Sequence, residues 1–207
     1  MTGKKQTDIK KILEDYYLSF QKDGYPISVN FRALVPELKK AERFTHLIHS
    51  YPAKLLANIP YFFFATDTLC PANGTVLDPF CGTGTVLLEA ALSGRNALGA
   101  DANPLAKLIT DGKTVYIPKE QLQETLKTIL GKAKKYRRII EHPDAIAVWY
   151  STSSLRQLSN LQRAISEIKD GPQKKLMNAG ALEGQRLKMF NKLLALGGRY
   201  KRVNQYQ

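Results

Sequence analysis

The chain has 207 residues, 43% of them apolar, and carries a formal net charge of +13 at pH 7, with a pI near 9.7. That length suits one medium domain or a domain with an appendage. No run of about 18 apolar residues predicts a membrane span, and MTGKKQTDIKKIL at the N-terminus has neither an apolar h-region nor a small-residue cleavage site, so no export signal is expected.

Two cysteines, Cys70 and Cys81, are too few for a disulfide framework or a zinc site, and they point to a reducing, cytoplasmic setting with no metal. The positive excess opposes compaction unless something uses it, which points to a polyanion such as nucleic acid as partner.

In chain order, residues 8–22 predict a helix, with Ile9, Ile12, Leu13, Tyr16 and Phe20 at helical spacing and Gly24 as its stop. Residues 25–45, with Pro26 and Pro36, read as irregular. In THLIHSYPAKLLANIPYFFFA, residues 45–65, Pro52 is placed to open a helix that Pro60 ends or kinks. Residues 75–78 read as a buried strand, 85–93 as a helix and NALGAD, 96–101, as a second strand. NPLAKLIT, 103–110, starts another helix, with Asn103 as N-cap and Pro104 in its first turn. Strand, glycine loop, helix, strand, helix is half of a doubly wound parallel sheet, so the expected fold class is α/β, Rossmann-like, with helical additions and a sheet that is incomplete here.

Residues 119–141 predict a long basic amphipathic helix, with Leu122, Leu126, Ile129, Ala133, Tyr136 and Ile140 on one face. AIAVWY, 145–150, is short and apolar, and Trp149 and Tyr150 are expected in the core. Residues 152–168 predict a helix with Leu155, Leu158, Leu161, Ile165 and Ile168 inward. From KDGP at 169–172 the character changes, with nine Lys/Arg against two acids between residues 169 and 202. The expected organisation is an N-terminal helical segment at 1–44, an α/β core at 45–118, a helical extension at 119–168 and a basic tail at 169–207.

The stretch VLDPFCGTGTVLLEA, 76–90, carries the chemistry. A strand-to-helix glycine loop can cradle an anionic or nucleotide-like ligand at the helix N-terminus, or it can be a plain tight turn. A phosphate loop of the Walker type would need Gly-Lys-Ser/Thr, but Thr85 and Val86 follow Gly84. A dinucleotide fingerprint would need a third glycine where Leu87 stands. Asp101, at the end of the second strand, is placed to accept hydrogen bonds from the two hydroxyls of a ribose. Its simpler alternative is a charge at a helix N-terminus.

The full string LDPFCGTGTVLLEA resembles the cofactor loop of S-adenosylmethionine-dependent amino-methyltransferases acting on nucleic acid. Upstream, THLIHSYPAKLL is similar to the segment that closes over the methionine end of the cofactor in DNA adenine-N6 and cytosine-N4 methyltransferases of restriction-modification type; downstream the likeness runs through GADANPLAKLITDGKT. It covers about residues 31–115. The upstream motif favours DNA, since DPFCGTGT also occurs in tRNA and rRNA guanine-N2 methyltransferases.

The resemblance implies roles. Asp78, Phe80, Cys81, Gly82 and Gly84 line the cofactor, and Thr83 and Thr85 hold its methionine carboxylate. Asp101 holds the ribose and Asn103 lies near the adenine, while Ser50, Tyr51, Pro52 and Lys54, with His49, cover the methionine side. Tyr51 as core, Lys54 as a solvated charge and His49 as a structural histidine are the plainer alternatives. Cys81 lies inside the cofactor loop, so it is not expected to act as the nucleophile of a cytosine-C5 enzyme.

The family positions the target amine with a loop of Asp, Ser or Asn, two prolines and an aromatic residue. No two of the ten prolines here are adjacent, so no catalytic residue is assigned. The chain reads as the cofactor half of a DNA methyltransferase, ending before its catalytic half. Three explanations stay open: a subunit whose second chain supplies catalysis and recognition, a truncated product, and a complete protein with an unfamiliar catalytic loop. An enzyme acting on tRNA or rRNA guanine-N2 and a non-catalytic cofactor- or nucleic-acid-binding remnant are the competing functions. In the tail, Lys174, Lys175, Arg186, Lys188, Arg199, Lys201 and Arg202 are candidates for contact with DNA phosphates.

Overall fold

The computed structural model describes residues 8–35, 44–49, 54–137 and 150–181. The chain divides into two compact units, one of residues 1–47 and 51–110 and the other of residues 48–50 and 111–207.

The first unit opens with helix α1, Ile9–Asp23, capped by the Asp8 side chain accepting from the Lys11 amide and closed by Gly24 in the left-handed region. A single-turn helix α2, Phe31–Leu34, falls within the stretch expected to be irregular, and a 3-10 turn, Phe44–Leu47, crosses its end. Helix α3, Asn58–Phe63, corrects the expectation for Pro60. This proline is the third helical residue, where a first-turn amide has no intrahelical acceptor anyway, so it helps to start the helix and does not end it. Pro52 lies outside the described residues.

Ile9 and Leu13 of α1 pack with Val35 and Phe62, and Phe31 meets Phe62 edge to face at 5.5 Å. The helical spacing of α1 thus has its partner. Phe20, expected on the same face, is exposed.

Strand β1, Thr75–Asp78, helix α4, Thr85–Leu92, and strand β2, Asn96–Gly99, form the unit that carries the glycine loop. The strands pair in parallel with Thr75 opposite Asn96 and Asp78 opposite Gly99. The pairing continues into the loops, where Ala100 N–H donates to Asp78 C=O and Cys81 N–H to Ala100 C=O. Leu87 and Leu88 of α4 are buried, and α4 packs on both strands. Leu77 and Leu98, neighbours in register, are exposed at 68% and 61%. Among the described residues the sheet has two strands, so the fold is mixed helix and strand with a small parallel sheet.

Helix α5, Pro104–Lys113, begins as expected, its Asn103 side chain accepting from the Leu105 amide, and runs three residues further than expected.

In the second unit, helix α6, Lys119–Lys135, buries Leu122, Leu126, Ile129 and Ala133. It ends earlier than expected, with Tyr136 extended and the Asn160 amide donating to the Ala133 and Tyr136 carbonyls, which satisfies the end of the helix. Helix α7, Thr152–Ser166, supplies Asn160 together with buried Leu161 and Ile165; Leu155, Leu158 and Ile168 are half-buried.

The stretch expected to be a basic tail opens with helix α8, Pro172–Ala181, which buries Leu176, Met177 and Ala179. Helix α8 comes so close to Gly112 that a Cβ there would lie 2.3 Å from that of Ala179, too near for any side chain. Tyr150 is 45% exposed, against its expected core position; Trp149 and Ile140 lie outside the described residues. No helix among the described residues is long and apolar enough to cross a membrane.

Candidate functional site

The glycine loop follows β1 directly. Gly82 and Gly84 both adopt left-handed conformations, with φ of 49° and 70°, where a side chain is costly. Their surroundings differ. A Cβ on Gly82 would meet nothing within 4 Å. A Cβ on Gly84 would lie 2.7 Å from Thr110 Cγ2 and 2.9 Å from Thr110 Oγ1. Gly84 is therefore required by α5, and Gly82 by the turn alone, with open space beside it.

That space is part of a cavity of about 420 Å³ lined by Lys54, Leu55, Leu77, Asp78, Phe80, Cys81, Gly82, Thr83, Thr85 and Val86. The residues come from the loop, from the first turn of α4, from the end of β1 and from the segment before α3. Helix α4 has Gly84 as its N-cap and no side-chain cap, so its opening amides lie at the cavity wall beside Thr85 and Val86. A helix N-terminus of this kind favours a carboxylate or phosphate.

Asp78 accepts the Phe80 amide at 3.2 Å, and Phe80 stands 88% exposed at the cavity. Asp101 accepts the Gly82 amide on one carboxylate oxygen and the Asn103 amide on the other, both at 2.8 Å. These bonds leave each oxygen a further lone pair. Thr110 donates its hydroxyl to the Gly82 carbonyl at 2.9 Å.

Of the residues singled out from the sequence, Lys54, Asp78, Phe80, Cys81, Gly82, Thr83 and Thr85 share the cavity. Gly84 packs behind the loop, and Asp101 and Asn103 brace it. Ser50, Tyr51 and Pro52 lie outside the described residues, as do Arg186, Lys188, Arg199, Lys201 and Arg202. Lys175 is exposed, whereas Lys174 pairs with Asp170 at 2.9 Å. Among the described residues no group of histidine, cysteine and carboxylate side chains is arranged to hold a metal.

Sequence reasoning did not single out Leu55, Leu77, Val86 and Thr110, although each lies within a quoted motif, because an apolar or hydroxyl side chain there has no chemistry of its own to mark it. It also missed a fully buried ion-pair contact, His46 Nε2 to Glu89 Oε1 at 2.8 Å, which ties the 3-10 turn to α4. Lys54 donates to the carbonyl of that same His46, so the lysine at the cavity is anchored through the turn.

Burial pushes the Cys81 thiol above the ordinary cysteine range, and the carboxylates of Asp78 and Asp101 push it the same way. A thiol held protonated is a poor nucleophile, in keeping with the expectation against C5 chemistry. In a Cys70→Ser background, alkylation of Cys81 by iodoacetamide is expected to stay slow through neutral pH and to accelerate only above the usual thiol range. A rate that titrates near pH 7, followed by mass spectrometry, would contradict this assignment.

Residues 48–111 match a family described as DNA methylase. The type II methyltransferase M.MvaI of Kocuria varians is 29% identical over 136 residues, covering 60% of this chain and 30% of the relative. The type II methyltransferase M.MjaII of Methanocaldococcus jannaschii is 27% identical over 100 residues, covering 48% of this chain and 18% of the relative. The chain therefore spans less than a third of the length of these curated relatives. No solved structure matches it. The resemblance to DNA amino-methyltransferases of restriction-modification type is borne out for the segment around the glycine loop.

Proposed function

We propose that this chain is the S-adenosylmethionine-binding part of a methyltransferase that acts on an exocyclic amine of a DNA base. The observation that carries the reading is the cavity on the glycine loop, which joins an uncapped helix N-terminus to a carboxylate and an open left-handed glycine. The fit is chemical. The opening amides of α4 and the hydroxyls of Thr83 and Thr85 suit a carboxylate. Asp78 suits the positive charge that a sulfonium or ammonium brings, and the remaining lone pairs of Asp101 suit ribose hydroxyls. Lys54 and Leu55 cover the same side, and Phe80 supplies an apolar edge. The bound cofactor supplies an electrophilic methyl group.

These residues bind, orient and exclude water; a positioned amine acceptor still has to be held in line with the methyl, with the base out of the stack. The proline-pair loop that does this in the family is absent from these 207 residues, so we assign that role to residues outside them, in a second chain or elsewhere. A parallel sheet is normally covered on both faces, and the exposed Leu77 and Leu98 fit a reading in which a wider sheet has a helix over that face. The wider sheet would be doubly wound, and Lys175 with the basic residues beyond it would meet DNA phosphates. Two free cysteines accord with a cytoplasmic setting.

The test mixes the chain with labelled S-adenosylmethionine and unmethylated mixed-sequence DNA, with tRNA as the competing acceptor. Asp101→Ala serves as the control. Cofactor binding by calorimetry, with label entering DNA and lost in the variant, is the result for a chain active alone. Binding without label is the result expected if the acceptor loop lies outside these residues. Failure to bind the cofactor removes the reading, and label in tRNA alone moves it to RNA.

A further inference from the structure

We infer that Thr110 is the positioning residue of the glycine loop: it sets the Gly82 peptide in the orientation that a cofactor needs. The inference rests on the cofactor reading above. Thr110 sits 28 residues beyond Gly82, on α5, and is 7% exposed. Besides a hydrogen bond that its side chain shares with the Cys81 thiol, it touches the loop at both glycines. Its hydroxyl donates to the Gly82 carbonyl at 2.9 Å. Its methyl and hydroxyl lie against the Cα of Gly84, where a Cβ would stand 2.7 Å and 2.9 Å away.

On the other side of the same residue, Asp101 accepts the Gly82 amide at 2.8 Å. Both backbone polar groups of Gly82 are thus held by side chains, one from the segment after β2 and one from α5. This matters because of what Gly82 is. It has a left-handed φ of 49° and open space around its missing Cβ, so no packing of its own fixes its rotation. A glycine left to itself would populate many orientations, and a ligand approaching the loop would have to select one of them. Thr110 removes that choice before any ligand arrives, which lowers the ordering cost of binding.

The division of labour within Thr110 makes the inference testable. The methyl packs on Gly84 and the hydroxyl holds Gly82, so Thr110→Val keeps the shape and removes the bond, while Thr110→Ser keeps the bond. Binding of S-adenosylmethionine would be measured by calorimetry. Hydrogen–deuterium exchange would be followed in the peptide covering residues 78–88, beside melting temperature. For Thr110→Val the expected result is a dissociation constant raised about threefold to tenfold, the range that one hydrogen bond carries. Faster exchange confined to the loop peptide should accompany it. Thr110→Ser is expected to stay within about twofold of the wild type on both measures.

A merely structural role would lower the melting temperature and speed exchange throughout the chain, and that outcome overturns the inference. So does wild-type affinity with unchanged loop exchange in Thr110→Val, or a serine variant as impaired as the valine one. If valine prevents folding, Thr110→Ala against Thr110→Ser makes the same comparison of hydroxyl present and absent. If the wild-type chain fails to bind the cofactor, the proposed function falls while loop exchange in the variants still decides the role of Thr110.

Discussion

Replacing Gly84 by valine is expected to destabilise the chain by about 2–6 kcal/mol. Two costs add here. A branched residue forced to a φ of 70° costs about 1–3 kcal/mol, and overpacking costs about 1–3 kcal/mol. The overpacking arises because the new Cβ would lie 2.7–3.2 Å from three atoms of Thr110. Thr110 is short and its hydroxyl is engaged with Gly82, so it cannot swing aside and the backbone must move.

Gly82→Ala makes the contrast. Its Cβ meets nothing within 4 Å, so the strain of a left-handed alanine alone applies, about 1–2 kcal/mol. Urea denaturation of both variants, with cofactor binding measured below the transition, distinguishes the two glycines. The expected pattern is a large loss of stability for Gly84→Val, and for Gly82→Ala a folded protein whose loss appears in ligand affinity. Equal stability losses for the two variants would show that Thr110 is not what requires Gly84.

The second large effect is expected at Arg95, which lies just before β2 and is 6% exposed. Its guanidinium donates to the carbonyls of Phe64, Thr66, Cys70 and Ser93 and to the Asp67 carboxylate, at distances from 2.6 to 3.1 Å. One side chain therefore satisfies the carbonyls of the winding segment between α3 and β1. Arg95→Met keeps the length and apolar stem but leaves those carbonyls without their donor, each costing about 1 kcal/mol or more. The expected loss is about 3–5 kcal/mol, the sum over the carbonyls left without a donor. Arg95→Lys is expected to recover only part of it, because an ammonium offers three donors from one point and cannot span the fork. A urea midpoint unchanged in Arg95→Met would sink the idea that this residue holds the segment.

These two cases show which features were legible in the sequence. The helices at 9–23, 85–92, 119–135 and 152–166 were readable because an apolar face repeats with the helical period, and Gly24 and Asn103 mark ends that local chemistry dictates. Pro60 was misread because a proline stops a helix or starts one according to the turn it occupies, and nothing adjacent in sequence says which. Helix α8 was missed because the basic residues of the whole stretch from 169 to 202 dominate the reading, whereas the pattern of Leu176, Met177 and Ala179 becomes decisive only when another helix is there to receive it. Asp101 was read for its carboxylate and its place after a strand. That the Gly82 amide meets it was not readable, because the contact joins two loops that strand pairing brings together.

What the sequence by itself determined is the presence of a glycine loop between a strand and a helix, the second strand ending near Asp101, and the chemistry of the DPFCGTGT string. Each of these depends on contiguous residues and on conformations that only glycine adopts easily. The tertiary structure alone decided that Gly84 yields to Thr110 while Gly82 faces open space, that Arg95 satisfies four carbonyls, and that His46 and Glu89 meet in the interior. Apart from the Ser93 carbonyl, such contacts join residues more than twenty positions apart, with no period to announce them. They exist only because burial makes each polar group find a partner wherever the packed chain supplies one.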